Sequence, residues 1–356
     1  MSGLLDGMKV LDPSWWRPMP HATQILADLG AQVLKVEPPG GDPMRAYPDI
    51  FASLARHKRS IVVDLKSDVG RARALELAAE SDVFCEAWRP GVADRLGLGY
   101  DALRAINPGI IYCSISGYGQ SGPWRDLPGH DLNYQALGGA VAPRPHDTRE
   151  PEVPRLPAAD LEAGTLAALL VCAAWGRRHL TGEGERIDVA MADAIAWWIG
   201  PSSGVRVEGA DESHGGHPAY GVFRTADARY VALAPLGEQH LFDGICKALG
   251  LDDLVGLAFL ERLARTEDVN TRVRAAIAKL KADDAFEVLE RAGAPVSLAL
   301  TPEEMVVHPQ IQARGIVADA GGTDVIALPA TLSANPARRS GPLPGVGEHP
   351  DGFAAD

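Results

Sequence analysis

The sequence predicts an α/β protein with a parallel sheet and a second, smaller α+β unit. Three observations predict it. Short apolar runs rich in β-branched residues alternate with amphipathic helical stretches as far as Ala190, which is the pattern of a parallel α/β sheet. The chain has 356 residues, more than one small core fills. A stretch rich in Gly, Ser and His, residues 201–217, then separates this pattern from a second series of strands and helices, as a linker does.

The elements follow in order. Residues 8–11 read as a strand and 22–29 as a helix, with Gly30 as its stop. Residues 32–36 and 60–65 are strands. Residues 69–80 are helical, with Ser67 or Asp68 as the cap. Residues 82–86 and 110–114 are strands, and 132–137 is a short helical run. Residues 160–180 form one long helix, ended by Thr181-Gly182-Glu183-Gly184, and 186–190 return as a strand. In the second unit, 220–224 and 230–234 are strands, helices run from about Glu238 to Ala292, and 294–300 is a strand. The tail from Asn335, rich in Pro and Gly, is extended.

Acidic residues outnumber basic ones, 47 to 34, for a net charge of -13. That argues against general nucleic-acid binding, which needs Lys and Arg against phosphate. The four cysteines, Cys85, Cys113, Cys172 and Cys246, sit apart in apolar runs without a CxxC pair. They read as buried reduced thiols rather than a zinc or redox site. The N-terminus lacks the basic and apolar regions of a signal peptide. The apolar run at 166–175 falls short of the roughly 20 residues of a membrane span. A cytoplasmic protein without a membrane partner is expected.

No GxGxxG follows the first strand and no Walker motif occurs, so a standard dinucleotide or P-loop site is not expected. Four polar features remain. Ser116-Gly117-Tyr118-Gly119-Gln120-Ser121-Gly122-Pro123 follows a strand, where open α/β sheets bind ligands. In Gly129-His130-Asp131 the histidine opens a helix and suits a general base at neutral pH. Asp160 precedes an apolar helix and is placed as an N-cap. Arg56, Lys58, Arg59, Lys66, Arg89 and Arg95 cluster at early strand ends and could hold phosphates. On pattern alone each feature also fits a structural role: a surface loop, a packed histidine, a plain cap, a solvated face.

Several ordered segments together resemble the family III CoA-transferases, and among them the α-methylacyl-CoA racemases. They include Leu26-Ala27-Asp28-Leu29-Gly30-Ala31, Lys58-Arg59-Ser60, Asp64-Leu65-Lys66 and Arg89-Pro90-Gly91-Val92. Arg95-Leu96-Gly97-Leu98-Gly99-Tyr100, Gly129-His130-Asp131 and Arg224-Thr225-Ala226-Asp227 follow, and Ala313-Arg314-Gly315 lies near the end. The resemblance spans nearly the whole chain.

It implies a Rossmann-like large domain at 1–200, a linker at 201–217, a small domain at 218–310 and a return segment at 311–356 that packs on the large domain. It also implies an interlocked homodimer. Coenzyme A enters as part of the substrate, with no metal and no further cofactor. The nucleotide would lie against Val63, Asp64, Leu65 and Lys66, then Ala87, Trp88 and Arg89, and Arg95. The thioester would approach Gly129, Asp131, Leu132, Asn133 and Tyr134.

The implied catalytic residues are His130, Asp160 and Glu238. The implied reaction is racemisation or epimerisation of a 2-methylacyl-CoA, as in fatty acid or sterol side-chain metabolism. The alternatives are CoA transfer to a carboxylic acid with Asp160 as nucleophile, and a CoA-binding protein without catalysis. The chain departs from the family pattern at Pro13-Ser14-Trp15-Trp16-Arg17-Pro18-Met19-Pro20, where a Gly-Pro pair is usual. Pro38 stands where relatives often place a CoA-binding arginine, with Arg45 as a substitute, and Ala228 replaces a turn glycine.

Overall fold

The computed structural model describes residues 3–141, 150–203 and 216–353. Most of the expected linker therefore lies outside the described residues. The chain divides into two compact units, residues 1–202 with 309–356, and residues 203–308.

In the first unit, β1 (Lys9–Asp12), α1 (Pro18–Asp28), β2 (Gln32–Glu37), α2 (Pro48–Ala55), β3 (Arg59–Val62), α3 (Asp68–Ala79) and β4 (Val83–Glu86) alternate. Then come α4 (Val92–Leu96), α5 (Tyr100–Ile106), β5 (Ile111–Ser116), α6 (Asp131–Leu137), α7 (Ala158–Thr181), β6 (Glu185–Ala190) and α8 (Met191–Ser203). The six strands form one parallel sheet in the order β3-β2-β1-β4-β5-β6. The order reverses direction between β1 and β4.

The second unit carries the antiparallel sheet β7 (Gly221–Arg224), β8 (Tyr230–Leu233) and β9 (Val296–Leu298). Its helices are α9 (Gln239–Ala248), α10 (Phe259–Ala264), α11 (Thr266–Ile277), α12 (Ala282–Arg291) and α13 (Pro302–Val307). The chain then rejoins the first unit through α14 (Pro309–Arg314) and the hairpin β10 (Val317–Ala320) and β11 (Thr323–Ile326). That hairpin, turned by Gly321-Gly322 at positive φ, and α8 are absent from the sequence expectation.

Alternation along the strands sorts side chains to two faces. Val10, Val33, Val83, Cys113 and Ile115 join one core with α1 and α7. Leu11, Leu34, Phe84 and Tyr112 join the other with α3. A parallel sheet covered on both faces follows. Cys85 and Cys113 lie opposite each other in the β4–β5 ladder as free thiols.

α7 spans 24 residues, so by length and composition it is apolar enough to cross a membrane, which the shorter apolar run did not suggest. One face of it, with Ala159, Ala163, Ala167 and Ala168, is buried in the core shared with α1. At Gly164 a Cβ would stand 2.5 Å from the Pro18 carbonyl oxygen, so glycine there lets the two helices meet. β3 stops at Val62; residues 63–65, expected as strand, are already the turn into α3. Ser67, rather than Asp68, caps that helix, accepting from Gly70 N–H at 3.0 Å.

Candidate active site

A cavity of about 690 Å³ opens at the C-terminal ends of β1, β4 and β5. This is where the strand order reverses, the position at which open α/β sheets hold ligands.

Its first wall is the β1–α1 loop. The fully buried Asp12 ends β1. Its Oδ1 accepts the Ser14 N–H at 3.0 Å and its Oδ2 accepts the Thr23 hydroxyl at 2.5 Å. Lys58 Nζ donates to Thr23 Oγ1 at 2.7 Å and to the Pro20 carbonyl at 3.0 Å. Lys35 Nζ donates to the Ser14 carbonyl at 2.9 Å and pairs with Asp42 at 2.5 Å. Burial pushes the Asp12 carboxyl up, but Lys58, Lys35 and the two hydroxyls together hold it below its ordinary value. Burial brings Lys58 down to about 8, against the pull of Asp12.

This network pins the loop at both ends, and Trp15, Trp16 and Arg17 line the cavity between them. Trp16 has φ +64, a left-handed conformation that costs a bulky residue on the order of 1–2 kcal/mol.

The network also corrects an expectation. Lys58 is buried on Asp12, Arg56 is buried on Asp28, and Arg59 donates to the Gly352 carbonyl at 2.8 Å. These three hold the fold, not phosphates. Arg45 is likewise engaged, bidentate on Glu37 at 2.6 and 2.7 Å.

The second wall follows β4. Ala87, Trp88 and Arg89 line the cavity. The buried Glu86 accepts the Trp88 N–H at 2.7 Å and shapes this turn; burial pushes its carboxyl up to about 7. Arg125, which the sequence reading did not single out, also lines the cavity. It is held by the Gln120 carbonyl and by Asp126, each at 3.0 Å. Its place just beyond the glycine-rich stretch was the available signal.

The third wall joins α6 and α7. His130 is the N-cap residue of α6 in extended conformation, and its ring is exposed at the cavity. Its N–H donates to Asn133 Oδ1 at 3.0 Å. The Tyr134 hydroxyl donates to the Gly129 carbonyl at 2.5 Å, and the ring leaves no room for a Cβ at Gly117. Burial, then Tyr118, pushes the Tyr134 hydroxyl up to about 12.

Asp160 is not the cap of its helix. α7 begins after Pro157, which places Asp160 in the first turn. Asp131 supplies the cap instead: its Oδ1 accepts the N–H groups of Ala159 at 2.8 Å and Asp160 at 3.2 Å. The Asp160 side chain therefore faces the cavity without capping work. Burial, with the Asp131 charge, pushes it up to about 6, and the Arg17 charge opposes the rise.

Of the expected residues, His130, Asp160, Ala87, Trp88, Arg89, Gly129, Asp131, Asn133 and Tyr134 come together around this cavity. Val63, Asp64, Leu65 and Lys66 follow β3, two strands away from β1 in the sheet, and do not line it. Nor do Arg95, exposed on α4, and Leu132. Arg95 Nη1 approaches the Gly91 Cβ position at 3.5 Å, and Arg125 Nη2 at 3.4 Å, so the two guanidiniums flank one turn. Glu238 is the exposed N-cap residue of α9 in the second unit. Hydrogen bonds from its own N–H and from Leu236 N–H hold its carboxyl below the ordinary value.

The model of CoA-transferase family III matches residues 5–350. The chain is 33% identical to the acetyl-CoA:oxalate CoA-transferase of Acetobacter aceti, over 93% of this chain and 90% of that protein. It is 33% identical to the alpha-methylacyl-CoA racemase of Homo sapiens, over 97% of this chain and 91% of that protein. Among solved structures, a CaiB/BaiF family protein from Brucella suis superposes with TM-score 0.89 at 29% identity, covering 99% of this chain and 98% of that one. Rv3272 from Mycobacterium tuberculosis superposes with TM-score 0.86 at 31% identity, covering 99% of each chain.

Proposed function

The chain belongs to CoA-transferase family III, and from that premise we propose that it racemises or epimerises a 2-methylacyl-CoA thioester. The observation that carries this reading is that His130 and Asp160 line one cavity while Asp160 is pushed up to about 6. A carboxyl raised toward neutrality gives up and takes back a proton at working pH more readily than an ordinary aspartate, which suits one of a pair of groups that exchange the α-proton.

His130 removes the α-proton of the thioester from one face. The C–H electron pair moves into the thioester carbonyl and forms the enolate. The Asp131 backbone N–H has no acceptor among the described residues, and Asp131 lines the cavity; we assign this N–H as the donor to that oxygen. The protonated Asp160 then delivers its proton to the other face. One C–H bond breaks and one forms, and the roles exchange for the opposite enantiomer. Arg89 and Arg125 are the cavity's cations for the coenzyme A phosphates.

CoA transfer is the second reading. It is favoured by relatives such as the oxalate CoA-transferase, and it makes the Asp160 carboxylate the nucleophile toward the thioester carbonyl. Incubation with a 2-methylacyl-CoA in deuterium oxide, without an acceptor acid, separates the two. Deuterium entering C2 at a rate that requires His130 supports proton transfer. Background labelling, together with transfer of CoA to an added carboxylate, rules the racemase reading out.

A further inference from the structure

We infer that the acyl group taken by this site carries a second carboxylate, which docks on Arg17. This rests on an acyl-CoA thioester occupying the cavity, as proposed above. The β1–α1 loop departs from the family pattern at Trp15-Trp16-Arg17. Trp15, Trp16 and Arg17 all line the cavity, and the loop is fixed below them by Asp12, Lys35 and Lys58. Trp16 is held in a left-handed backbone conformation, a strain that persists where the surroundings over-determine it and that clusters at ligand-binding sites. The loop is thus a rigid presentation of two aromatic rings and a cation.

The guanidinium of Arg17 has no hydrogen-bond or ion-pair partner among the described residues, although it is partly buried. It also sits at the N-terminus of α1, the end at which the helix dipole disfavours a cation. Pro18 and Pro20 remove two first-turn N–H donors there, so an anion at this point has the Arg17 side chain as its main donor. A carboxylate fits the planar fork of a guanidinium in bidentate fashion. The Trp15 and Trp16 rings offer apolar surface to the hydrocarbon between the thioester and that carboxylate.

The anion belongs to the acyl group rather than the nucleotide. Arg17 lines the cavity together with Asp160 and its charge reaches that carboxyl, whereas neither Arg89 nor Arg125 is among the charges that shift it; the full pantetheine arm separates the reacting carbon from the phosphates. Arg89 and Arg125 stand on other loops, after β4 and β5. A carboxylate on Arg17 also neutralises the charge that opposes protonation of Asp160, so the proper substrate favours the acid form that delivers the proton.

The test compares two 2-methylacyl-CoA thioesters of equal chain length, one ending in a methyl group and one in a carboxylate. The readout is the ratio of their kcat/KM values for α-deuteration. The wild type is expected to prefer the carboxylate by about 10- to 100-fold, an ion pair worth about 1.4–2.8 kcal/mol. In Arg17→Gln, checked for folding by its melting curve, the ratio falls to about 1, and Arg17→Lys restores part of it. A wild-type ratio of 1 or below overturns the inference. So does an equal loss for both thioesters in Arg17→Gln with the ratio kept, which would put Arg17 on the nucleotide. If neither thioester exchanges, the racemase reading fails by itself, and the same ratio is then read from the two dissociation constants.

Discussion

The carboxylate of Asp131 accepts the backbone N–H of Asp160 at 3.2 Å, beside that of Ala159 at 2.8 Å. One aspartate thus caps the long helix α7 from outside, and the other is left free at the mouth of the cavity. The same closeness lets the Asp131 charge help push the Asp160 carboxyl up. Asp131→Ala should destabilise the protein by about 1 kcal/mol, the usual loss for a cap. It should also move the Asp160 titration to lower pH. Thermal unfolding and a pH titration of the deuteration rate read the two effects separately; a shift to higher pH would refute the electrostatic coupling.

Asp160 links function to pH. Its folded value, about 6, lies above the ordinary 3.8, so between these values the folded state binds more protons than the unfolded chain. Stability is therefore lost as pH rises through that window, and the full cost is present above about 6. Asp160→Asn should stabilise the protein above about pH 6, by up to about 3 kcal/mol, with no gain below about pH 4. The same variant should lose on the order of 10²- to 10⁴-fold in activity. Melting temperatures across pH check the first expectation; equal gains at pH 4 and pH 7 would contradict it.

His130 should be separable from the fold. Its ring is exposed, and its backbone N–H donates to Asn133 Oδ1, a bond that an alanine keeps. His130→Ala should change stability by less than about 0.5 kcal/mol while reducing α-deuteration by on the order of 10²- to 10⁴-fold. Retained exchange in a folded variant would remove His130 from the mechanism.

Ala228 sits at φ +62, in a turn closed by its N–H to the Thr225 carbonyl at 3.1 Å. An L-residue there carries backbone strain that glycine does not. Ala228→Gly should stabilise the second unit by about 0.5–1 kcal/mol, after the extra freedom glycine gives the unfolded chain. Denaturant unfolding measures it, and a loss of stability would mean that the alanine methyl is packed.

The sequence by itself determined the periodic order of strands and helices in the first unit, because burial on both faces of a parallel sheet writes itself as apolar runs. It determined the long helix and its Gly182 stop, and it marked His130 and Asp160 as chemistry-bearing residues through an ordered set of motifs. It also marked the Trp15-Trp16-Arg17 loop as a departure. The tertiary structure decided what these residues do for one another. Whether Asp160 caps its helix or faces a cavity depends on Asp131, 29 residues earlier in the chain, and no local pattern reports that distance. Whether a lysine or arginine serves a ligand or the core depends on its partner: Lys58 and Arg56 found buried carboxylates, while Arg17 and Arg89 came to the cavity. Periodicity records burial along one element; the choice of partner is made between elements, where charge, distance and exclusion of water act together.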